Sequence, residues 1–210
     1  MDTKNTKIDD FLDSLSSSSP TPGGGSAAAL SAALAVSLAL MVCSLTAGKK
    51  RYAAVEKDIK LIADKANYHK NEFIRFSDED QKAFLPLAEA FAMPKSDEPQ
   101  INERSNAVQR ALSGAAQAPL SVLRRCAEAA PLFKELLEKG SRLMVSDVGT
   151  GALLLLSAAE SAALNVAVNT RMMDDRKTAD ALDKEADSLL EILTPVLTEV
   201  SEAVKRRLKA

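Results

Sequence analysis

Ile8, Phe11, Leu12 and Leu15 recur at i, i+3, i+4 and i+7, which predicts a short amphipathic helix near the start of the chain. A serine run, Ser16–Ser19, leads into a Pro-Gly turn at 20–25. The pattern then changes. Between Ala27 and Ala47 no charged residue occurs, only Ala, Ser, Leu, Val, Met, Cys and Thr. A helix with small apolar residues on every side belongs inside a bundle. Ser26 stands where an N-cap belongs and Gly48 where the helix should stop. Beyond that point Tyr52, Val55, Ile59, Ile62, Ala66, His69, Phe73 and Phe76 alternate three- and four-residue steps, predicting a long helix with one buried stripe.

Ser77 and Asp80 form a capping signature, with Phe84, Leu87, Ala88 and Phe91 as the inner face of a new helix that Pro94 ends. After a polar connection, Ile101, Val108, Ala111, Leu112 and Ala115 mark another helix. Pro119 should break or kink it before a further segment through Glu138. Gly140 reads as a C-cap. Ser146-Asp147 reads as the N-cap region of a second nearly uncharged helix, Val148–Val168, interrupted only by Glu160. Leu182, Leu189, Ile192, Val196, Val200 and Val204 then pattern a final helix, about Thr178 to Leu208. Strand-type alternation is missing. The expected fold is all-α: one domain over residues 1–210, a bundle of five to seven helices with two long buried ones.

Composition narrows the function. A net charge of −2 over 210 residues leaves no electrostatic footprint for nucleic acid. Cys43 and Cys126 are far apart and read as buried free thiols; one His and two distant Cys make no metal site. Ala27–Ala47 is long enough to span a bilayer, but its Ala and Ser content and acidic lead-in favour a buried core helix in a cytoplasmic protein.

Polar residues at helix ends carry the candidate chemistry. Gly23-Gly24-Gly25-Ser26 before a helix is either a tight turn or an anion site made of free N–H groups. Lys49, Lys50, Arg51 and Tyr52 are either a solvated helix end or a grip on anionic substrate. If Ser26 and Lys49 lie on one helix, they stand roughly 35 Å apart at 1.5 Å per residue. One subunit could not then bring both to one reaction centre; two such helices would have to run antiparallel, most simply in a two-fold dimer. Likewise Asp147 lies roughly 27 Å from Asn165 along the second buried helix. Asn165 and Asn169 share a face at i, i+4 and need partners, backbone or ligand. His69 sits on the buried stripe and reads as a core histidine.

Pro20-Thr-Pro-Gly-Gly-Gly-Ser26, followed by Ser44-Leu-Thr-Ala-Gly-Lys-Lys-Arg-Tyr52, resembles the opening of the cyclodeaminase/cyclohydrolase family, which acts on one-carbon-substituted tetrahydrofolates. Asp80-Gln-Lys-Ala-Phe84, Met93-Pro94-Lys95, Arg104 with Gln109, Ser146-Asp147-Val148-Gly149 and Asn165-Val166 with Asn169 resemble later blocks in the same order. Ala92-Met93 before Pro94 and Ser141 after Gly140 depart from the pattern. The resemblance implies Asp147, Asp80 and Lys49 as catalytic candidates. Substrate contacts would come from Gly24, Gly25, Ser26, Lys50, Tyr52, Lys95, Arg104, Ser146, Asn165 and Asn169.

The implied activity is a methenyltetrahydrofolate cyclohydrolase, with a formimidoyltetrahydrofolate cyclodeaminase as the alternative. The 210-residue length, with no fused transferase domain, favours the first expectation. Neither reaction calls for a cofactor beyond the folate substrate. The competing class is a non-catalytic helical interaction module, which predicts no response to folates.

Overall fold

The computed structural model describes residues 2–209, and within them the chain is all-α. Its helices are α1 (Ile8–Leu15), α2 (Gly24–Ser44), α3 (Glu56–Ala92), α4 (Glu98–Lys139), α5 (Val145–Thr170) and α6 (Arg176–Lys209). Short 3₁₀ turns at Lys50–Val55 and Arg142–Met144 precede α3 and α5. α2 packs against α3 and α5, α4 against α3, α5 and α6, and α6 closes the bundle over α5.

Small residues let these helices approach closely. A Cβ on Gly151 would lie 2.4 Å from the Phe133 ring and 3.1 Å from the Ala35 carbonyl; one on Gly149 would meet Val204 at 2.8 Å. The core runs through Ala29, Ala32, Val36 and Ala39 of α2, Phe73 of α3, Leu120 and Phe133 of α4, Leu155 of α5 and Leu193 of α6.

Several boundaries differ from the sequence pattern: α2 starts at Gly24 and ends at Ser44, and α5 starts at Val145, ahead of Ser146-Asp147. The capping signature at Ser77 starts nothing: α3 runs unbroken through it to Ala92. Pro119 and Pro131 do not break α4, which is continuous over 42 residues. Each proline costs its helix a backbone hydrogen bond, and here burial offsets that loss: Pro119 sits among buried Ala116, Leu120, Val122 and Leu123. Tyr52 and Val55 lie in a 3₁₀ turn rather than in α3.

α2 and α5 are also not buried all round. Leu34 is 55% exposed on α2, and Leu153, Leu164 and Val168 are 48%, 72% and 55% exposed on α5. Both helices are long and apolar enough to cross a membrane by length and composition, with mean hydropathy 2.1 and 1.6. In the structure each packs one side into the bundle and leaves an apolar stripe outside.

Candidate functional site

The N-terminus of α2 meets α3 in a small cavity of about 240 Å³ that mixes polar and apolar walls. Its walls include Gly23, Gly24 and Gly25 of the turn, Asp80 and Phe84 of α3, Pro119 of α4, and Asn165 and Asn169 of α5. The Thr21–Pro22 peptide in the turn is cis. α2 begins at Gly24 with Gly23 as a cap that has no side chain to offer, so the first-turn N–H groups have no local acceptor.

Asp80 occupies that end of the helix from 54 residues away. The buried Ser26 hydroxyl lies 2.9 Å from Asp80 Oδ2 and 3.1 Å from the Ser77 carbonyl. Burial pushes the Asp80 carboxyl above its ordinary range, and the Ser26 hydroxyl and backbone N–H oppose that shift.

A serine hydroxyl carries one proton, and this one has two acceptors. With Asp80 ionised, Ser26 donates to the carboxylate. With Asp80 protonated, the acid can donate to Ser26 Oγ while Ser26 turns to the Ser77 carbonyl. Both protonation states therefore keep a partner.

Contact forbids a side chain at Gly25 and leaves little room at Gly24. A Cβ on Gly25 would stand 2.0 Å from Asp80 Oδ1, and one on Gly24 would stand 3.3 Å from both side-chain polar atoms of Asn165. Asn169 is buried; its amide nitrogen donates to the Ala115 carbonyl at 3.2 Å and the Asn165 carbonyl at 2.7 Å, and the residue lines the cavity. Asn165 donates to the Ser161 carbonyl at 2.8 Å.

A larger cleft, about 640 Å³, lies at the other end of α2. Arg51, Tyr52, Lys139, Gly140, Arg142 and Arg207 line it. The chain reverses there at Gly48, whose φ of +72° is a left-handed value that glycine adopts without steric cost. The Arg142 N–H donates to the Tyr52 hydroxyl oxygen at 3.1 Å. That bond, with help from Ser141 and the nearby cations Arg51 and Lys49, holds the Tyr52 phenol below its ordinary range. Burial raises the Cys43 thiol to about 11, so it is inert as a nucleophile.

Of the residues singled out in the sequence, Gly24, Gly25, Ser26, Asp80, Asn165 and Asn169 come together. Lys49, Lys50 and Tyr52 gather at the opposite end of α2, which its 21 residues place roughly 30 Å away. Lys49 lies past the reversal at Gly48, not on the helix itself. Ser146 and Asp147 sit in the first turn of α5, close in sequence to Arg142, and line neither cavity. Lys95 lies at the tip of the α3–α4 hairpin, where Arg104 bonds the Phe91 carbonyl at 3.4 Å. Along α4, Arg104 stands roughly 16 Å and the tip at Glu98 roughly 26 Å from Ala115 in the cavity wall. His69 is buried on the stripe.

Two expected caps turn out to be partners of each other. Ser26 makes no N-cap bond and Asp80 opens no helix; the serine side chain instead meets the carboxylate. Local signatures could not reveal that pairing. Arg142 and Arg207 were also missed, because nothing in their spacing points to Tyr52.

The profile of the formiminotransferase-cyclodeaminase family matches residues 7–188. The chain is 38% identical, over 97% of its length and 98% of the relative's, to a methenyltetrahydrofolate cyclohydrolase of Methylorubrum extorquens. It is 27% identical over 89% of its length to the formimidoyltransferase-cyclodeaminase of Mus musculus, of which it spans only 34%. A formiminotetrahydrofolate cyclodeaminase from Thermotoga maritima has a similar structure: TM-score 0.82, 25% identity, 98% of this chain and 97% of that one.

Proposed function

The chain belongs to the formiminotransferase-cyclodeaminase family, and on that premise we propose that it is a methenyltetrahydrofolate cyclohydrolase, adding water to 5,10-methenyltetrahydrofolate to give 10-formyltetrahydrofolate. The end-to-end similarity to the Methylorubrum extorquens cyclohydrolase carries this reading. The Asp80 cavity gives it a mechanism.

The substrate carbon bridging N5 and N10 is cationic. Asp80 takes a proton from the attacking water, and the neutral adduct forms. The bond from this carbon to N5 then breaks as Asp80 returns the proton to N5. The adduct's hydroxyl proton leaves for solvent and the formyl group stays on N10. A carboxyl raised by burial suits both steps, because its affinity for a proton lies nearer the working pH. Ser26 holds Oδ2 in either state, while Asn165 and Asn169 position water and substrate. No electrons are exchanged, so the reaction calls for no redox cofactor. A soluble folate substrate goes with a cytoplasmic location.

The cavity at Asp80 holds only the reacting end of such a substrate. Lys49, Lys50, Tyr52 and Arg142 would serve the anionic tail, from a second copy of the chain in a two-fold dimer. The exposed Leu34 on α2 and Leu153, Leu164 and Val168 on α5 support this, as an apolar stripe on the very helices that separate the two ends. Lys95 and Arg104 on the hairpin tip, and Asp147 and Ser146 at the start of α5, would complete the rim.

The direct experiment follows loss of the methenyl absorption band against its spontaneous rate. Rapid enzyme-dependent loss supports the cyclohydrolase. No acceleration, but ammonia release from 5-formimidoyltetrahydrofolate, would select the cyclodeaminase that the Thermotoga maritima likeness favours. Neither activity, with no thermal shift by folates, would leave a helical interaction module. For the shared site, an Asp80→Asn chain is mixed and refolded with a chain carrying Lys49→Glu, Lys50→Glu, Arg51→Glu and Arg142→Glu together, assayed at substrate far below KM, where that chain alone turns over little. A dimer with shared sites recovers about a quarter of wild-type activity, because half the dimers are mixed and each has one intact site. No recovery would mean that each subunit works alone.

A further inference from the structure

The turn formed by residues 2–6 docks on α3 one helical turn before Asp80. It is a self-contained knot: the Asn5 N–H donates to the Asp2 carbonyl at 3.1 Å and the Thr6 hydroxyl to the same carbonyl at 2.6 Å. Thr3 is its point of attachment. Its backbone N–H donates to Asp78 Oδ1 at 2.8 Å, and its hydroxyl reaches the same oxygen at 2.6 Å. The hydroxyl also lies 3.1 Å from Ser77 Oγ and accepts from Gln81 Nε2 at 3.4 Å.

Those contacts reach the Asp80 network directly. Ser77 and Gln81 are both buried. The Ser77 carbonyl accepts from Gln81 Nε2 at 3.1 Å and from the Ser26 hydroxyl at 3.1 Å, and the same hydroxyl serves Asp80. Gln81 Oε1 has no partner among the described residues, so its amide is held from the nitrogen side only, by Ser77 and Thr3. Thr3 thus touches the residues before and after Asp80 on the turn that presents it, and one of the two contacts fixing Gln81 is its own.

We propose that Thr3 is a positioning residue for the Asp80–Ser26 pair: its hydroxyl clamps Ser77, Asp78 and Gln81 so that the Ser77 carbonyl and the Asp80 carboxyl stay together around the Ser26 hydroxyl. The inference rests on Asp80 being the acid–base group. It adds to the site a residue that lies outside the matched family segment of 7–188. A clamp of this kind acts on the chemical step, since it contacts no substrate and holds the group that moves the proton.

The test compares wild type, Thr3→Val and Thr3→Ser. Valine keeps the volume and loses the hydroxyl; serine restores it. Thr3→Val should lower kcat about fivefold, the scale of a net hydrogen bond or two, with KM within about twofold. Thr3→Ser should recover most of the loss. Amide hydrogen exchange is read in parallel: the peptide covering 77–81 should lose protection in Thr3→Val, and α6 should not. Unchanged kcat and unchanged exchange in Thr3→Val, or a Thr3→Ser chain as slow as Thr3→Val, would overturn the clamp. If wild type leaves the methenyl substrate untouched, the proposed reaction fails by itself. The exchange comparison still judges whether Thr3 holds the turn that carries Asp80.

Discussion

The Asp80 cavity and the Tyr52 cleft stand at opposite ends of α2 and hold their polar groups in opposite ways. At the first, one half-buried carboxylate is bonded to a buried hydroxyl and laid against a glycine backbone with no room for a methyl group. At the second, Arg51 and Arg142 are exposed around a wider space; Tyr52 is held by a backbone N–H, Arg207 by the Leu137 carbonyl and Lys139 by Asp58 and Glu135. Groups held in a buried network act through position, where small displacements are costly. Exposed charges act through a summed field, where each contributes little and salt screens the whole. The first end should govern the chemical step and the second the hold on substrate.

The sharpest way to break that comparison is Asp80→Asn, which keeps size and loses the proton carrier. Turnover of methenyltetrahydrofolate should fall about 10³-fold with circular dichroism unchanged. A rate within tenfold of wild type would remove Asp80 from the mechanism. Gly25→Ala comes next. Its new Cβ would displace Asp80, so kcat should drop about 10²-fold, and overpacking should cost roughly 1–3 kcal/mol in chemical denaturation. Gly114→Ala on the exposed side of α4, whose Cβ meets nothing within 4 Å, serves as the control and should leave kcat unchanged.

At the other end, Tyr52→Phe and Arg142→Gln should each raise KM about two- to fivefold and leave kcat alone. The wild-type KM should rise with salt, and a kcat effect from either variant would blur the division between the two ends.

The smallest effect is on stability. Burial raises the Asp80 carboxyl above its ordinary 3.8, so the native state keeps a proton that the unfolded chain has already released. The stability this contributes is full below about 3.8 and is lost as pH rises through the native value. Asp80→Asn cannot lose that proton. Its melting temperature, measured against wild type, should climb across that window and stay level above it. A constant difference at all pH values would mean the carboxyl is not raised.

Much of the fold was legible because it is written in periodicity. The stripe from Ile59 to Phe76, the uncharged segment after Gly25 and the last amphipathic helix each repeat a local rule many times, so single exceptions do not obscure them. Boundaries were less legible. Ser77 and Asp80 have the spacing of a cap and Pro119 the look of a break, yet α3 and α4 run straight through, because tertiary packing outweighs one local preference. The candidate site was legible in its members through the family resemblance, since Gly25, Ser26, Asp80, Asn165 and Asn169 were all named. Their pairing was not.

The amino-acid sequence by itself determined the all-α class, the unusual uncharged helices and the glycine turn, since each depends on residues near one another in the chain. Only the tertiary structure decided that Ser26 and Asp80, each with the look of a local helix cap, bond to each other across 54 residues. It alone joined Arg142 to Tyr52, left an apolar stripe of α2 and α5 uncovered, and set Thr3 against the turn before Asp80. The physical reason is range. A hydrogen bond or helical face is specified by neighbours three or four positions away, whereas which hydroxyl a buried carboxylate meets depends on how whole helices dock.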